Sequence, residues 1–256
     1  MKSFSLFTII LALFIAAAGC QNRGSGGKDS GEEDSGSAIP DTGFTGIGVY
    51  RSGNLVSAEV TMKNGVRHGI MKTYYPSGKL RQTFWYENGL RQDTAIWYHE
   101  DGVIFRKTPF RNDSIDGMQI QYYRNGKVRA RLEFVNGLRT PFLEEFNSNG
   151  KLFTSYPELI IRTKDNYNTD GTFEILAELD KNDVNSNFYR GELKDNLFNP
   201  KEYVKINNSE TTGYLQLSKT GSRNPGYIGI IAEILTGLGN RKIVYKRIEL
   251  PYSDLN

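Results

Sequence analysis

The chain has 256 residues, with 32 Lys+Arg against 29 Asp+Glu, 12% aromatic residues, 27 Gly and one Cys. So small a net charge, with no dense Lys/Arg cluster, argues against a nucleic-acid partner, and a single Cys rules out a disulfide within the chain. Abundant Gly and aromatics at modest hydrophobicity favour β-structure with many turns. The chain opens on Lys2, an uncharged apolar run from Phe4 to Ala18, and the small residues Ala17-Ala18-Gly19 before Cys20. A positive start, an apolar stretch and small residues at a cut define a secretory signal. The run is short against the roughly 20 residues that span a bilayer.

The segment ending at Cys20 resembles the lipobox of bacterial lipoproteins, with Ala17 where the common pattern carries Leu. The resemblance implies a diacylglyceryl group on the Cys20 thiol, cleavage after residue 19 and acylation of the new amine. Two or more acyl chains hold a protein stably on a membrane where one is marginal. The expected location is the cell envelope, lipid-anchored. In a cell with two membranes the outer one is expected, because Gln21 follows Cys20 and no acidic retention residue does. No cofactor is expected beyond the covalent lipid. Residues 20–44 contain Gly-Ser-Gly-Gly, Gly-Glu-Glu-Asp-Ser-Gly-Ser and almost no apolar residue. Such a composition cannot bury a core and reads as a disordered tether.

Residues 45–156 carry an internal repeat. Gly53, Gly78, Gly102, Gly126 and Gly150 are separated by 25, 24, 24 and 24 residues. Gly65, Gly89, Asp113 and Gly137 form a second series at spacing 24, and Gly69, Asp93, Gly117 and Pro141 a third. Asn precedes each member of the second series, and Asn-Gly accepts the positive φ of tight hairpin turns. Between turns lie short runs rich in Tyr, Phe, Trp, Thr, Val and Ile. In one of them Leu80, Gln82, Phe84 and Tyr86 are expected on one face, with Arg81, Thr83, Trp85 and Glu87 on the other. Each repeat is then two strands and two turns, and stacked copies form one antiparallel meander.

Tyr74-Tyr75-Pro76-Ser77-Gly78-Lys79 and Tyr122-Tyr123-Arg124-Asn125-Gly126-Lys127, each followed by an aromatic strand and Asn-Gly, resemble the MORN repeat in its bacterial variant form. The resemblance covers roughly residues 53–156 in four to five copies. It implies binding and scaffolding, with an antitoxin-like or immunity role as the alternative. The third copy departs: Asp113 replaces Gly, and Arg106 to Arg111 lacks a clear aromatic strand, so that strand is expected to be bulged or partly exposed. This half is also the basic one, with 16 Lys+Arg and 10 Asp+Glu in residues 45–155 against 13 and 14 in residues 156–256.

After Tyr156 the repeat stops. Residues 157–256 hold seven apolar runs: Leu159–Thr163, Thr172–Leu179, Phe188–Leu193, Glu202–Ile206, Tyr214–Leu217, Tyr227–Leu235 and Lys242–Leu250. Seven short strands in about 100 residues suggest an immunoglobulin-like β-sandwich. Gly229–Leu235 is also compatible with a helix. The fold class is therefore all-β, a meander of β-hairpin repeats followed by a small sandwich, which is expected to cap the open edge of the repeat sheet.

No catalytic constellation is evident. The two His, His68 and His99, lie in turn regions 31 residues apart. Ser148-Asn149-Gly150-Lys151 falls on a repeat hairpin. Asn166, Asn168, Asp170 and Gly171 imitate a calcium loop, but Ala177 stands where the bidentate Glu is required, and a hairpin turn is the better reading. No catalytic or metal site is assigned. The candidate binding residues are Tyr74, Tyr75, Trp85, Trp97, Tyr122 and Tyr123, whose rings can stack on a sugar or hold a peptide, although about half must face the packed side. The expected function is non-enzymatic: a lipid-anchored surface for an envelope protein or glycan. The sequence leaves the oligomeric state open.

Overall fold

A computed structural model describes residues 43–181 and 185–256. The signal segment, the Cys20 lipid site and nearly all of the tether lie outside the described residues.

Among the described residues, the first ten strands form one antiparallel sheet. They are β1 (Gly46–Ser52), β2 (Leu55–Lys63), β3 (Val66–Tyr74), β4 (Leu80–Glu87), β5 (Leu90–Tyr98), β6 (Ile104–Arg111), β7 (Ser114–Ile115), β8 (Gly117–Tyr122), β9 (Val128–Val135) and β10 (Leu138–Glu145). Each series of glycines has its own geometric task. Asn64-Gly65, Asn88-Gly89, Asn112-Asp113 and Asn136-Gly137 all have positive φ at both positions, as a type I′ turn requires. At the other end of the strands, Gly78, Gly102, Gly126 and Gly150 each donate their N–H to the carbonyl three residues earlier, at 2.8–2.9 Å, and close wider hairpins at positive φ. The third series marks irregularities. Gly69 (φ 103°) and Asp93 (φ 59°) lie where β3 and β5 carry extra residues against their neighbours, and Gly117 (φ 113°) opens β8 just after the break from β7. A Cβ at Gly117 would make a tight 3.2 Å contact with Pro109 in addition to the φ that L side chains rarely adopt.

A second bulge recurs one residue into β4, β6 and β9. Tyr74 pairs with Leu80 but Thr73 with Gln82, leaving Arg81 over; Phe105 and Arg129 are left over in the same way, each 24 residues on. This corrects the simple alternation. Leu80 lies across from Tyr74 and not on the face of Gln82, because the extra residue resets the pleat. Successive repeats are tied by rungs in which Gly65, Gly89, Asp113 and Gly137 donate to the carbonyls of Phe44, Arg67, Arg91 and Ile115.

One face of the sheet, here the inner face, carries the buried side chains Val60, Tyr86, Ala95, Trp97, Thr108, Phe110, Ala130, Leu132 and Leu143. Phe84 packs edge-on against Trp97 at 5.5 Å and Phe110 at 6.4 Å. Arg67, Arg91 and Arg106 lie over the rings of Tyr86, Phe110 and Trp97, at 5.5, 4.5 and 4.1 Å. The aliphatic stems and flat guanidinium groups shield the rings from water while the charge meets the π-face. In the third copy β6 carries the bulge at Phe105 and its far side pairs with the split strands β7 and β8, yet Thr108 and Phe110 are buried. Its alternate small and aromatic residues fill the inner face despite the lack of an aromatic run.

The C-terminal half is a two-sheet sandwich. Strands β11 (Leu159–Asn166), β12 (Thr172–Leu179) and β15 (Thr212–Ser218) form one sheet in the order β11-β12-β15. Strands β14 (Val204–Lys205), β13 (Ser186–Arg190), β16 (Tyr227–Leu235) and β17 (Arg241–Glu249) form the other in that order. Lettering β11–β17 in chain order gives A-B-E against C′-C-F-G, the immunoglobulin-like arrangement. Phe173, Ile175, Ala177, Phe188, Leu217, Ile230, Ala232 and Ile234 alternate inward to make the core. Gly229–Leu235 is strand, paired with both β13 and β17, so the helical alternative does not hold. The run Glu202–Ile206 shortens to a 3-10 turn at Pro200–Glu202 and two residues of β14; the Asn199 side chain caps the Lys201 N–H, and Pro200 has no N–H for a ladder. Asn166–Gly171 is the hairpin between β11 and β12, where Asp170 Oδ1 accepts from the Thr172 N–H at 3.0 Å.

The sandwich closes the end of the repeat sheet. The turn between β16 and β17 lies against β8–β10. Glu145 Oε1, on a residue only 2% exposed, accepts from Thr236 Oγ1 and Asn240 Nδ2, each at 2.7 Å. Gln121 Nε2 donates to Asn240 Oδ1 at 2.8 Å and Arg129 Nη2 to the Leu238 carbonyl at 2.5 Å. The Phe198 N–H donates to the Arg139 carbonyl at 2.8 Å, adding a bridge beyond β10.

Candidate functional site

Two surfaces merit description: the outer face of the repeat sheet and the cleft at its junction with the sandwich. Pairing register defines the outer face. Ile47 lies opposite Thr61, the Thr61 hydroxyl donates to the Ile70 carbonyl at 3.0 Å, and Ile70 lies opposite Trp85. These residues form a row across β1–β4. Ile47, Val49, Ile70 and Trp85 are 64, 47, 41 and 48% exposed. Lys72 opposite Thr83, and Lys107 opposite Ile96, bring positive charge to the same face.

The six aromatic candidates divide three ways. Trp85, Tyr74 and Tyr122 are on the outer face. The Tyr74 hydroxyl donates to Glu59 Oε2 at 2.7 Å; burial, then that hydrogen bond and the Glu59 charge, push the phenol up to about 12. Tyr122 has Lys107 Nζ 5.9 Å from its ring centre. Tyr75 and Tyr123 serve the repeat itself: their hydroxyls donate to the carbonyls of Tyr98 and Phe146, at 2.7 and 2.6 Å, and clamp each wide turn to the next repeat. Trp97 is on the inner face, 7% exposed beneath Arg106, so it is core and not a ligand platform. Ile47, Val49 and Ile70 were not singled out in the sequence. Their parity against buried Val60 and Tyr86 is the signal that finds them, once the bulges are placed.

The junction cleft has a volume of about 610 Å³ and is lined by Glu145, Phe153, Tyr156, Leu235, Thr236 and Leu238 among others. Burial, then the Glu145 carboxylate, pushes the Tyr156 phenol up to about 12. Burial pushes Lys242 down and Glu145 pulls it back. Its polar groups serve the contact between the two halves. His99 packs at a tilt against Phe105, ring centres 4.9 Å apart, and is pushed down by burial and by Arg124; His68 receives the Asn88 N–H at 3.5 Å. Among the described residues, no group of three or more His, Cys, Asp and Glu side chains is placed to hold a metal, and no helix is long and apolar enough to cross a membrane.

A single-layer sheet of recurring hairpins, self-packed on one face and open on the other, defines a β-repeat scaffold. The family model of the MORN repeat variant matches residues 67–88, 94–112 and 115–136. The windows coincide with the hairpins β3–β4, β5–β6 and β7–β9, so this part of the chain is a run of MORN-type repeats. The departing third copy is among those matched. No curated protein matches the chain.

Proposed function

We propose that this is a non-enzymatic, lipid-anchored protein of the cell envelope whose repeat sheet presents its outer face to an envelope protein or glycan. The observation that carries the reading is the row Ile47–Thr61–Ile70–Trp85, with Val49 beside it: apolar side chains interrupted by Thr61 and left in water while the inner face is filled by the chain itself. Scattered exposed apolar residues need no explanation, but contiguous ones flanked by polar groups mark interaction surfaces. Trp85, flanked by Thr83 and Lys72, combines a wide apolar face with nearby hydrogen-bonding groups, as binding anchors do. The lipobox resemblance at Cys20 supports the anchor, and the Gly/Ser-rich tether supplies reach from the membrane.

Cross-linked envelopes provide the test. Affinity capture of the full chain should recover a discrete partner, and Trp85→Ala or Ile70→Lys should lose it. Equal recovery by both variants would place binding elsewhere. For the anchor, Cys20→Ser should abolish incorporation of labelled fatty acid and release the protein from membranes; a Cys20→Ser protein that still carries the label is not anchored as proposed.

A further inference from the structure

The ends of the repeat sheet are unequal. The β10 end is covered by the sandwich through Phe198 and the β16–β17 turn. Among the described residues, no strand pairs with the outer side of β1. An open edge offers alternate N–H and C=O groups to any passing strand, and proteins blunt such edges with charge, Pro or bulges. The sandwich edges are blunted by charge or by cover: β11 exposes Arg162, Lys164 and Asp165, β17 exposes Lys246, Arg247 and Glu249, and the uncharged β15 is bridged by Ile206–Asn207 and by Asn256. β1 is not blunted. Gly46–Tyr50 contains neither charge nor Pro, pairs with β2 without a break, and carries Ile47 and Val49 at 64 and 47% exposure.

We infer that β1 is a self-association edge: two copies pair antiparallel through Gly46–Tyr50 about a two-fold axis at Gly48, continuing one sheet into the other. The sequence is self-complementary in that register. Gly48 meets its own copy, so the axis is free of side-chain clash. Ile47 lies opposite Val49 of the second copy, an exposed β-branched and aliphatic pairing of the kind that stabilises neighbouring strands. The only charge on β1, Arg51, falls opposite Thr45 of the other copy, and the two Arg51 lie about 20 Å apart along the strands at 3.3 Å per residue. The preceding stretch of this chain is a poor alternative occupant, since Gln21–Thr42 offers Ile39 as its only large aliphatic residue and carries five acids. An edge of five to seven residues buries less than the roughly 1,200–2,000 Å² of standard stable interfaces. The dimer is therefore weak and concentration-dependent. This goes beyond the proposed outer-face binding and does not require it.

The test is sedimentation velocity on the full chain in mild detergent over a hundredfold concentration range. The parent should pass from monomer to dimer, and Ile47→Lys and Val49→Lys should each weaken association at least tenfold with an unchanged melting temperature. In a Cys20→Ser background, a mixture of Ile47→Cys and Val49→Cys chains should form an intermolecular disulfide under mild oxidation more readily than either alone. A parent that stays monomeric throughout overturns the inference. So does a dimer that both lysine variants preserve, or a disulfide no faster in the mixture. Trp85→Ala should leave the dimer intact while losing the captured partner, which separates this edge from the binding face.

Discussion

Glu145 ties the two halves of the protein together, and its removal has a calculable consequence. Its Oε1 accepts hydrogen bonds from Thr236 and Asn240 at 2.7 Å, and all three residues are buried. Hydrogen bonds to a charged group contribute about 1.5–3 kcal/mol each. Glu145→Ala removes both and leaves a buried hydroxyl and a buried amide without an acceptor. At about 1–3 kcal/mol for each buried donor left unsatisfied, the two together cost about 2–6 kcal/mol. At about 2–4 °C per kcal/mol for a chain of this size, the melting temperature should fall by about 4–24 °C. Glu145→Gln keeps an acceptor oxygen in place and should cost about 1 kcal/mol. Thermal melts followed by circular dichroism give the stability. Hydrogen exchange locates it: the Asn240-bound amide of Thr236 and the Gly239 amide, both in the β16–β17 turn, should lose protection before the sandwich core does. An alanine variant melting within about 1 °C of the parent, with these amides still protected, would show that the carboxylate does not hold the junction.

The two tryptophans should behave oppositely: Trp97→Ala should cost about 3–5 kcal/mol in urea unfolding, whereas Trp85→Ala should stay within about 0.5 kcal/mol. Tyr123→Phe removes the clamp on the Phe146 carbonyl and should cost about 1 kcal/mol, again read by urea unfolding. At acid pH, burial alone would raise Asp113, but its hydrogen bonds from the Arg91 side chain and N–H and the nearby Arg charges prevail, holding it below the usual carboxylate range. Its stabilisation is present above the unfolded carboxylate pKa of about 4 and is lost as pH falls through the lower folded value; Asp113→Asn should flatten the melting-temperature profile below about pH 4. At alkaline pH, Tyr74 and Tyr156 titrate at about 12 when folded. Their contribution is complete below about pH 10, the unfolded value, and declines toward pH 12; the double Phe variant should lose less melting temperature over that window.

Much of the repeat was legible because its signals are local. Each Asn-Gly pair sets its own hairpin, and the 24-residue spacing carries the geometry from copy to copy. Thr172–Leu179 and Tyr227–Leu235 were delimited correctly by apolar alternation bounded by turn residues. What eluded the sequence depends on register or on distance. The bulges at Arg81, Phe105 and Arg129 reset the pleat, so the sides taken by Leu80 and Arg81 could not be read from alternation. Trp97 and Trp85 look alike in composition, yet only pairing with Arg106 and with Ile70 tells core from surface. The third copy hides its strand because Thr108 is small where Phe84 and Leu132 stand in the neighbouring copies. The capping sandwich was foreseen as a role but not in its contacts, since Glu145 meets Thr236 and Asn240 across 91 and 95 residues.

The proposed role of the outer face is tested most directly by site-specific photocross-linking in native envelopes. A photoreactive residue placed at position 85 or position 70 should yield the same discrete adduct. One placed at Val204, more open at 64% exposure but on the sandwich, should not. No adduct from either repeat position, or the same adduct from position 204, would contradict a binding surface on the repeat sheet.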